Sequence, residues 1–107
     1  MNDSEIVNLS DALEYQDQSV ISRVLLKNAG GTITLFAFDE GEGLSEHKTP
    51  FDAFVTIVEG KARIRIADHD HSLNAGDSLV LPANIPHAVD AVTKFKMILV
   101  MIKAPKE

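Results

Sequence analysis

Residues 51–67, FDAFVTIVEGKARIRIA, predict two β-strands joined by a tight turn. The second half alternates strictly between charged and apolar residues, which is typical of a strand with one solvent-exposed face and one buried face. The charged members are Lys61, Arg63 and Arg65, and the apolar members are Ala62, Ile64 and Ile66. Between the halves, Gly60 favours a reversal of the chain because glycine accepts positive φ. The stretch therefore predicts a hairpin packed against a core.

Short β-rich runs separated by turn residues continue on both sides of this hairpin. The predicted strands cover 20–27, 32–38, 51–58, 61–67, 72–74, 78–81, 87–92 and 95–102, and residues 39–46 form a loop. No long helical periodicity separates the strands, so the pattern predicts an all-β sandwich or closed jelly roll. Residues 1–19 precede it as an arm or as a short helical turn over 8–15 capped by Ser10. The β-domain itself is expected over 20–104.

Composition limits both the domain organisation and the classes of binding partner that we expect. A chain of 107 residues with no cysteine is expected to be one domain without disulfides. Its formal net charge of −6 and scattered basic residues exclude a nucleic-acid-binding face. No signal peptide and no membrane-length apolar run is present, so we expect a cytoplasmic protein without membrane contact.

The run at 95–102, FKMILVMI, is apolar on both faces. A strand of this kind must be covered on both sides. One side is expected to face the core and the other a second copy of the chain, which predicts a homodimer.

Two segments resemble the paired motifs of the cupin superfamily. The first runs Gly41-Glu-Gly-Leu-Ser-Glu-His47-Lys-Thr49-Pro-Phe-Asp-Ala53 and, after six residues, Gly60. The second runs from Gly76 through Pro82-Ala-Asn84-Ile-Pro-His87 to Ala91. In order and at this separation, they identify the chain as similar to a small single-domain cupin, an RmlC-like double-stranded β-helix or jelly-roll barrel. Asn84 stands where the motif has glycine and is expected to adopt a left-handed conformation.

The resemblance also implies a metal site, but only half of its ligands are present. His47 and His87 stand at histidine positions of the family motif, whereas Thr49 and Ala53 replace a second histidine and a glutamate. The expectation is a weakly held divalent metal on the two histidines, or none. Asp52 and Glu46 adjoin the motif positions, and strand alternation points both to the opposite face unless a bulge intervenes near Pro50.

The predicted ligand pocket lies between the sheets. Its residues are His47, Thr49, Phe51, Ala53, Val55, His87 and Met97. The favoured hypothesis is a cupin that binds a small molecule. The alternatives are a metal-dependent cupin enzyme of the dioxygenase or isomerase type, and a structural oligomeric cupin with a vestigial pocket. His69 and His71 form a His-x-His sequence, which we interpret as a solvated turn rather than a metal site.

Overall fold

A computed structural model describes residues 1–104, which contain nine β-strands and no helix. The strands are β1 Val20–Asn28, β2 Gly31–Phe38, β3 Gly43–His47, β4 Phe51–Glu59, β5 Lys61–Ile66, β6 His69–Asn74, β7 Ser78–Leu81, β8 His87–Ala91 and β9 Phe95–Lys103. They form a five-stranded sheet in the order β1-β2-β9-β4-β7 and a four-stranded sheet in the order β3-β8-β5-β6. All pairings are antiparallel. The all-β jelly-roll prediction is confirmed. With no helix among residues 1–104, no helical membrane span is found there.

The core lies between the inner faces of the two sheets. The strict alternation predicted for β5 is confirmed, since Ala62 and Ile64 are fully buried and the intervening basic residues are exposed. The rest of the core comes from both sheets and includes Phe38, Val55, Ile57, Leu73, Val89, Ala91, Phe95 and Met97. Phe38 and Phe95 stack with ring centroids 4.4 Å apart. These aromatic rings pack at one end of the barrel. The opposite end, where Phe51 pairs with Lys103 and the exposed His47 lies, is called the open end below.

Of the two alternatives predicted for residues 1–19, an arm or a short helical turn over 8–15, the structure shows the arm and no helical turn. This part of the chain forms turns, in which the Asn8 side chain accepts a hydrogen bond from the Ser10 amide at 3.0 Å. Such local side-chain bonding competes with helix formation, which is why Asn and Ser so often mark turns. The segment runs as an arm along the outer face of the five-stranded sheet.

Contacts at one end of β9 hold this arm in place. Lys96 is only 5% exposed, donates a hydrogen bond to the Ser10 carbonyl and lies 3.7 Å from a Glu59 carboxylate oxygen. The Tyr15 hydroxyl donates to the same carboxylate at 2.7 Å, and the Tyr15 ring lies beneath the Lys96 ammonium at 4.9 Å. Part of the outer side of β9 is therefore covered by the chain's own N-terminus. Ile102, at the other end of the strand, remains 57% exposed.

Two local assignments differ from the sequence prediction. The expected loop at residues 39–46 contains most of β3, which pairs with β8. The turn expected at residues 68–71 is shorter, because Ile66 pairs directly with His69 and only Ala67 and Asp68 lie between them. A two-residue hairpin turn requires positive φ, and Ala67 adopts φ 54°. Asn84 adopts φ 63°, which confirms its predicted left-handed conformation.

Candidate functional site

The two motif histidines meet at the open end of the barrel. His47 on β3 and His87 on β8 are direct cross-strand partners, and their ring centroids lie 4.4 Å apart at an interplanar angle of 69°. His87 is 8% exposed, whereas His47 is exposed. The pair therefore combines one imidazole reachable from solvent with one that is nearly enclosed.

A β-bulge in β3 places His47 on the inner face. Leu44 pairs with Val89 and His47 pairs with His87, so β3 advances three residues while β8 advances two. Leu44 packs against the core, and His47 lies three positions after it. In a regular strand, residues three positions apart point to opposite faces, so His47 would face outward without the bulge. The bulge lies at Ser45 and Glu46 rather than near Pro50.

Backbone carbonyls orient both rings. Nδ1 of His47 lies 2.8 Å from the Ser45 carbonyl, and Nδ1 of His87 lies 3.4 Å from the Ile85 carbonyl. A carbonyl oxygen only accepts hydrogen bonds, so in each neutral ring the proton belongs on Nδ1, and Nε2 keeps its lone pair. Burial and the neighbouring His47 lower the pKa of His87, against a smaller opposing effect of the Ile85 carbonyl. His87 is therefore neutral at pH 7 and offers a hydrogen-bond acceptor.

The other predicted pocket residues lie either at the open end of the barrel, which we call the mouth, or in the core below it. Phe51 is half-buried at the mouth, and Ala53 is 6% exposed on the inner face, between Met101 and Leu81. Val55 and Met97 are 0% and 1% exposed, respectively, and belong to the packed core below the mouth. Thr49 uses its hydroxyl locally, at 3.3 Å from both the amide and the carbonyl of Phe51.

The residues at the motif positions do not fit a resident divalent metal. No group of three or more His, Cys, Asp or Glu side chains in residues 1–104 is arranged to hold an ion. Glu46 instead forms an ion pair with Arg65 at 3.4 Å, and Asp52 accepts a hydrogen bond from the Ala83 amide at 2.9 Å. Both carboxylates therefore serve other contacts. Two imidazoles fall short of the three or four protein ligands that such sites use.

The His-x-His sequence lies on strand β6 and not in a turn, so its placement was predicted wrongly. His69 pairs with Ile66 and His71 with Ile64, which puts both in register with the inner face of the four-stranded sheet. The His69 side chain is nevertheless 81% exposed, and its nearest charged partner is Asp68 at 3.4 Å. β6 is the edge strand farthest from β3, so β5 and β8 separate these histidines from His47.

Sequence reasoning missed a second feature at this end of the barrel. A cavity of about 200 Å³ is lined by Lys27, Asn28, Ala29, Gly31, Thr32, Phe51, Met101 and Lys103. Lys27 pairs with Thr32, Thr32 with Met101, and Phe51 with Lys103, so these side chains share the inner face. Only the register brings these residues together from β1, β2, β4 and β9. The sequence could have indicated one of these residues, because the turn at 28–31 sets the pairing of Lys27 with Thr32 and so places Lys27 on the inner face.

Comparison with known proteins agrees with this architecture. The family model of the cupin domain matches residues 34–103. The structure of a conserved protein of unknown function from Streptococcus pyogenes has a TM-score of 0.91 and 33% identity, covering 99% of this chain and 93% of that chain. No curated protein shows significant sequence similarity to the chain.

Two further solved structures have the same fold. A cupin 2 conserved barrel domain protein from Leptotrichia buccalis has a TM-score of 0.87 and 38% identity, covering 91% of this chain but only 47% of that one. A cupin superfamily protein from Desulfitobacterium hafniense has a TM-score of 0.90 and 28% identity, covering 97% of this chain and 95% of that chain.

Proposed function

Since this chain belongs to the cupin domain family, we propose that it is a cytoplasmic protein that binds a small molecule in the open end of its barrel, around His47 and His87. The single observation that carries the proposal is the cross-strand imidazole pair, with ring centroids 4.4 Å apart, in which His87 is nearly enclosed and His47 is reachable from solvent. Small-molecule sites are typically concave and mostly apolar, with a few convergent polar groups. The two histidines supply such groups above an apolar wall.

The chemistry of the pair favours recognition of a hydrogen-bond donor. Both Nδ1 atoms face backbone carbonyls, so Nε2 of each neutral ring is an acceptor. A ligand hydroxyl or N–H group would satisfy one of these atoms. Binding would give Nε2 of the nearly enclosed His87 a hydrogen-bond partner, whereas residues 1–104 supply one only to its Nδ1.

A metal-dependent enzyme is the weaker hypothesis for this chain. Thr49 and Ala53 occupy two of the four motif ligand positions, and the neighbouring carboxylates are engaged elsewhere. An ion bound by two imidazoles alone would be held weakly. The proposal therefore assigns binding to the side chains and requires no catalytic step.

Protein-observed NMR with a library of small fragments tests this proposal. We expect at least one fragment class to shift the amide signals of His47, Thr49, Ala53 and His87, and His87→Ala to abolish those shifts. His69→Ala is the matched control, because this histidine is exposed on the far edge strand and should leave fragment binding unchanged. Shifts confined to other surfaces, or none with any fragment, would contradict the proposal and leave a structural domain with a vestigial pocket.

Metal analysis separates the enzyme hypothesis. Protein purified without chelators or imidazole is incubated with divalent ions, desalted and measured for bound metal. We expect less than stoichiometric retention. One metal ion per chain, lost in both His47→Ala and His87→Ala, would instead support the metal-dependent alternative.

A further inference from the structure

The cavity of about 200 Å³ beside the predicted pocket has a composition that specifies a ligand class. Its apolar lining includes Phe51 and Met101, and Lys27 and Lys103 also line it. β2 lies between β1 and β9, so the two lysines flank the cavity from strands about 10 Å apart. The cavity is thus apolar at its wall and positive on two sides.

The positive rim is unusual for this protein. The chain has a formal net charge of −6, yet none of the ion pairs among residues 1–104 uses Lys27 or Lys103. Lys48, in the segment that joins His47 to Phe51, adds a third exposed ammonium at the same end of the barrel. The acidic run at 39–42 lies at the other end, where the Gly41 amide donates to the Ala91 carbonyl at 2.9 Å. Two carboxylates at the same end, those of Glu46 and Asp52, are engaged with Arg65 and the Ala83 amide, so the lysines that line the cavity favour an anionic group beside them although the whole molecule is acidic.

Two neutral groups at the wall add hydrogen-bond donors. Oδ1 of Asn28 accepts from the Gly30 amide at 2.8 Å, which leaves the Asn28 amide nitrogen free to donate. The Thr32 hydroxyl is buried and has no hydrogen-bond partner among the described residues. An unpartnered buried hydroxyl is unfavourable, which favours a ligand that accepts a hydrogen bond from this cavity-lining residue.

We propose that this cavity binds a small organic carboxylate, with the carboxylate between Lys27 and Lys103 and an apolar body against Phe51 and Met101. The inference rests on the proposed function, because it names the ligand class for the same open end of the barrel. An engineered apolar cavity of about 150 Å³ accommodates benzene. A cavity of about 200 Å³ therefore suits one ring or a short chain carrying the acid group.

Calorimetric and NMR titrations with benzoate, benzyl alcohol and inorganic phosphate test the inference. Benzoate should bind most tightly, because it alone combines the ring with the anionic group. Lys27→Met and Lys103→Met should each weaken benzoate binding up to about fivefold, as expected for loss of a partly exposed ion pair, and added salt should weaken it further. Lys61→Met is the matched control, since this lysine is exposed on the outer face of β5.

Each alternative result has a defined meaning. Equal affinity for benzoate and benzyl alcohol, or equal loss in the Lys61→Met control, overturns the carboxylate inference. Phosphate binding as tight as benzoate also overturns it, because the apolar wall would then contribute nothing. If fragments reach His47 and His87 while benzoate leaves the Thr32 and Met101 amides unshifted, the carboxylate inference fails and the proposed function stands. If benzoate binds at this cavity while no fragment reaches the histidines, the carboxylate inference is supported and the proposed role of His47 and His87 fails.

Discussion

Replacing Gly60 with alanine should be among the most damaging single-methyl additions in this barrel. Gly60 forms the turn between β4 and β5 with φ 82°, a left-handed conformation that alanine adopts only with strain. A Cβ built there would lie 2.0 Å from the Lys94 carbonyl oxygen and 2.7 Å from both Cα and Cβ of Phe95. Phe95 is fully buried and stacks on Phe38, so the beginning of β9 cannot move without disturbing the core.

Gly76 provides a matched control for the size of this effect. It has φ 91°, but a Cβ there meets no atom within 4 Å. Gly76→Ala should therefore cost only the left-handed strain of about 1–2 kcal/mol. Gly60→Ala carries the same strain plus a backbone collision, and overpacking of this kind adds about 1–3 kcal/mol or more. We expect about 2–5 kcal/mol in total, a large part of the roughly 5–15 kcal/mol that stabilises a typical domain.

Urea unfolding followed by far-ultraviolet circular dichroism measures both variants against the unmodified chain. The free energy of unfolding should fall by about 1–3 kcal/mol more in Gly60→Ala than in Gly76→Ala, because the left-handed strain is common to both. Failure of Gly60→Ala to fold, with Gly76→Ala folded, agrees with the reasoning in direction. Equal losses in the two variants would refute it, because the close approach of Gly60 to β9 would then contribute no energy.

Three further predictions concern the histidine pair, the arm and the outer face. Burial and His47 lower the pKa of His87 in the folded state, so between that pKa and about 6.5 the unfolded chain binds more protons than the folded chain. The free energy of unfolding should therefore fall as the pH is lowered through this window. Urea unfolding at several pH values should show a smaller fall in His87→Gln than in the unmodified chain. Lys96→Met removes a buried ammonium from the Glu59 carboxylate and should lower the free energy of unfolding by about 1–3 kcal/mol. It should also make the N-terminal arm accessible to limited proteolysis. Unchanged stability and protease resistance would contradict the anchoring of the arm by Lys96. Light scattering should detect the homodimer that the apolar β9 predicts, and Ile102→Glu should dissociate it; a monomeric unmodified chain would show that prediction to be wrong.

Much of the barrel could be predicted from the sequence because its signals are local. Alternation along β5 determines which side chains face the core, and this follows from the period of two in any strand. Asn84 was expected to take a left-handed conformation from its motif position alone, and it does. The two motif segments identified the cupin fold, and they identified His47 and His87 as the residues to examine.

The tertiary structure decided how distant parts meet. The bulge at Ser45 and Glu46, which turns His47 inward, depends on register with β8, and nothing in the local sequence marks the extra residue. The structure also decided between the two alternatives for residues 1–19, and the arm forms instead of a helical turn because its polar groups bond to one another and to Lys96. The same applies to the cavity between Lys27 and Lys103, whose walls come from four strands. Pairing between remote strands is set by the packing of the whole barrel, whereas the face of each residue is set by its neighbours along the chain.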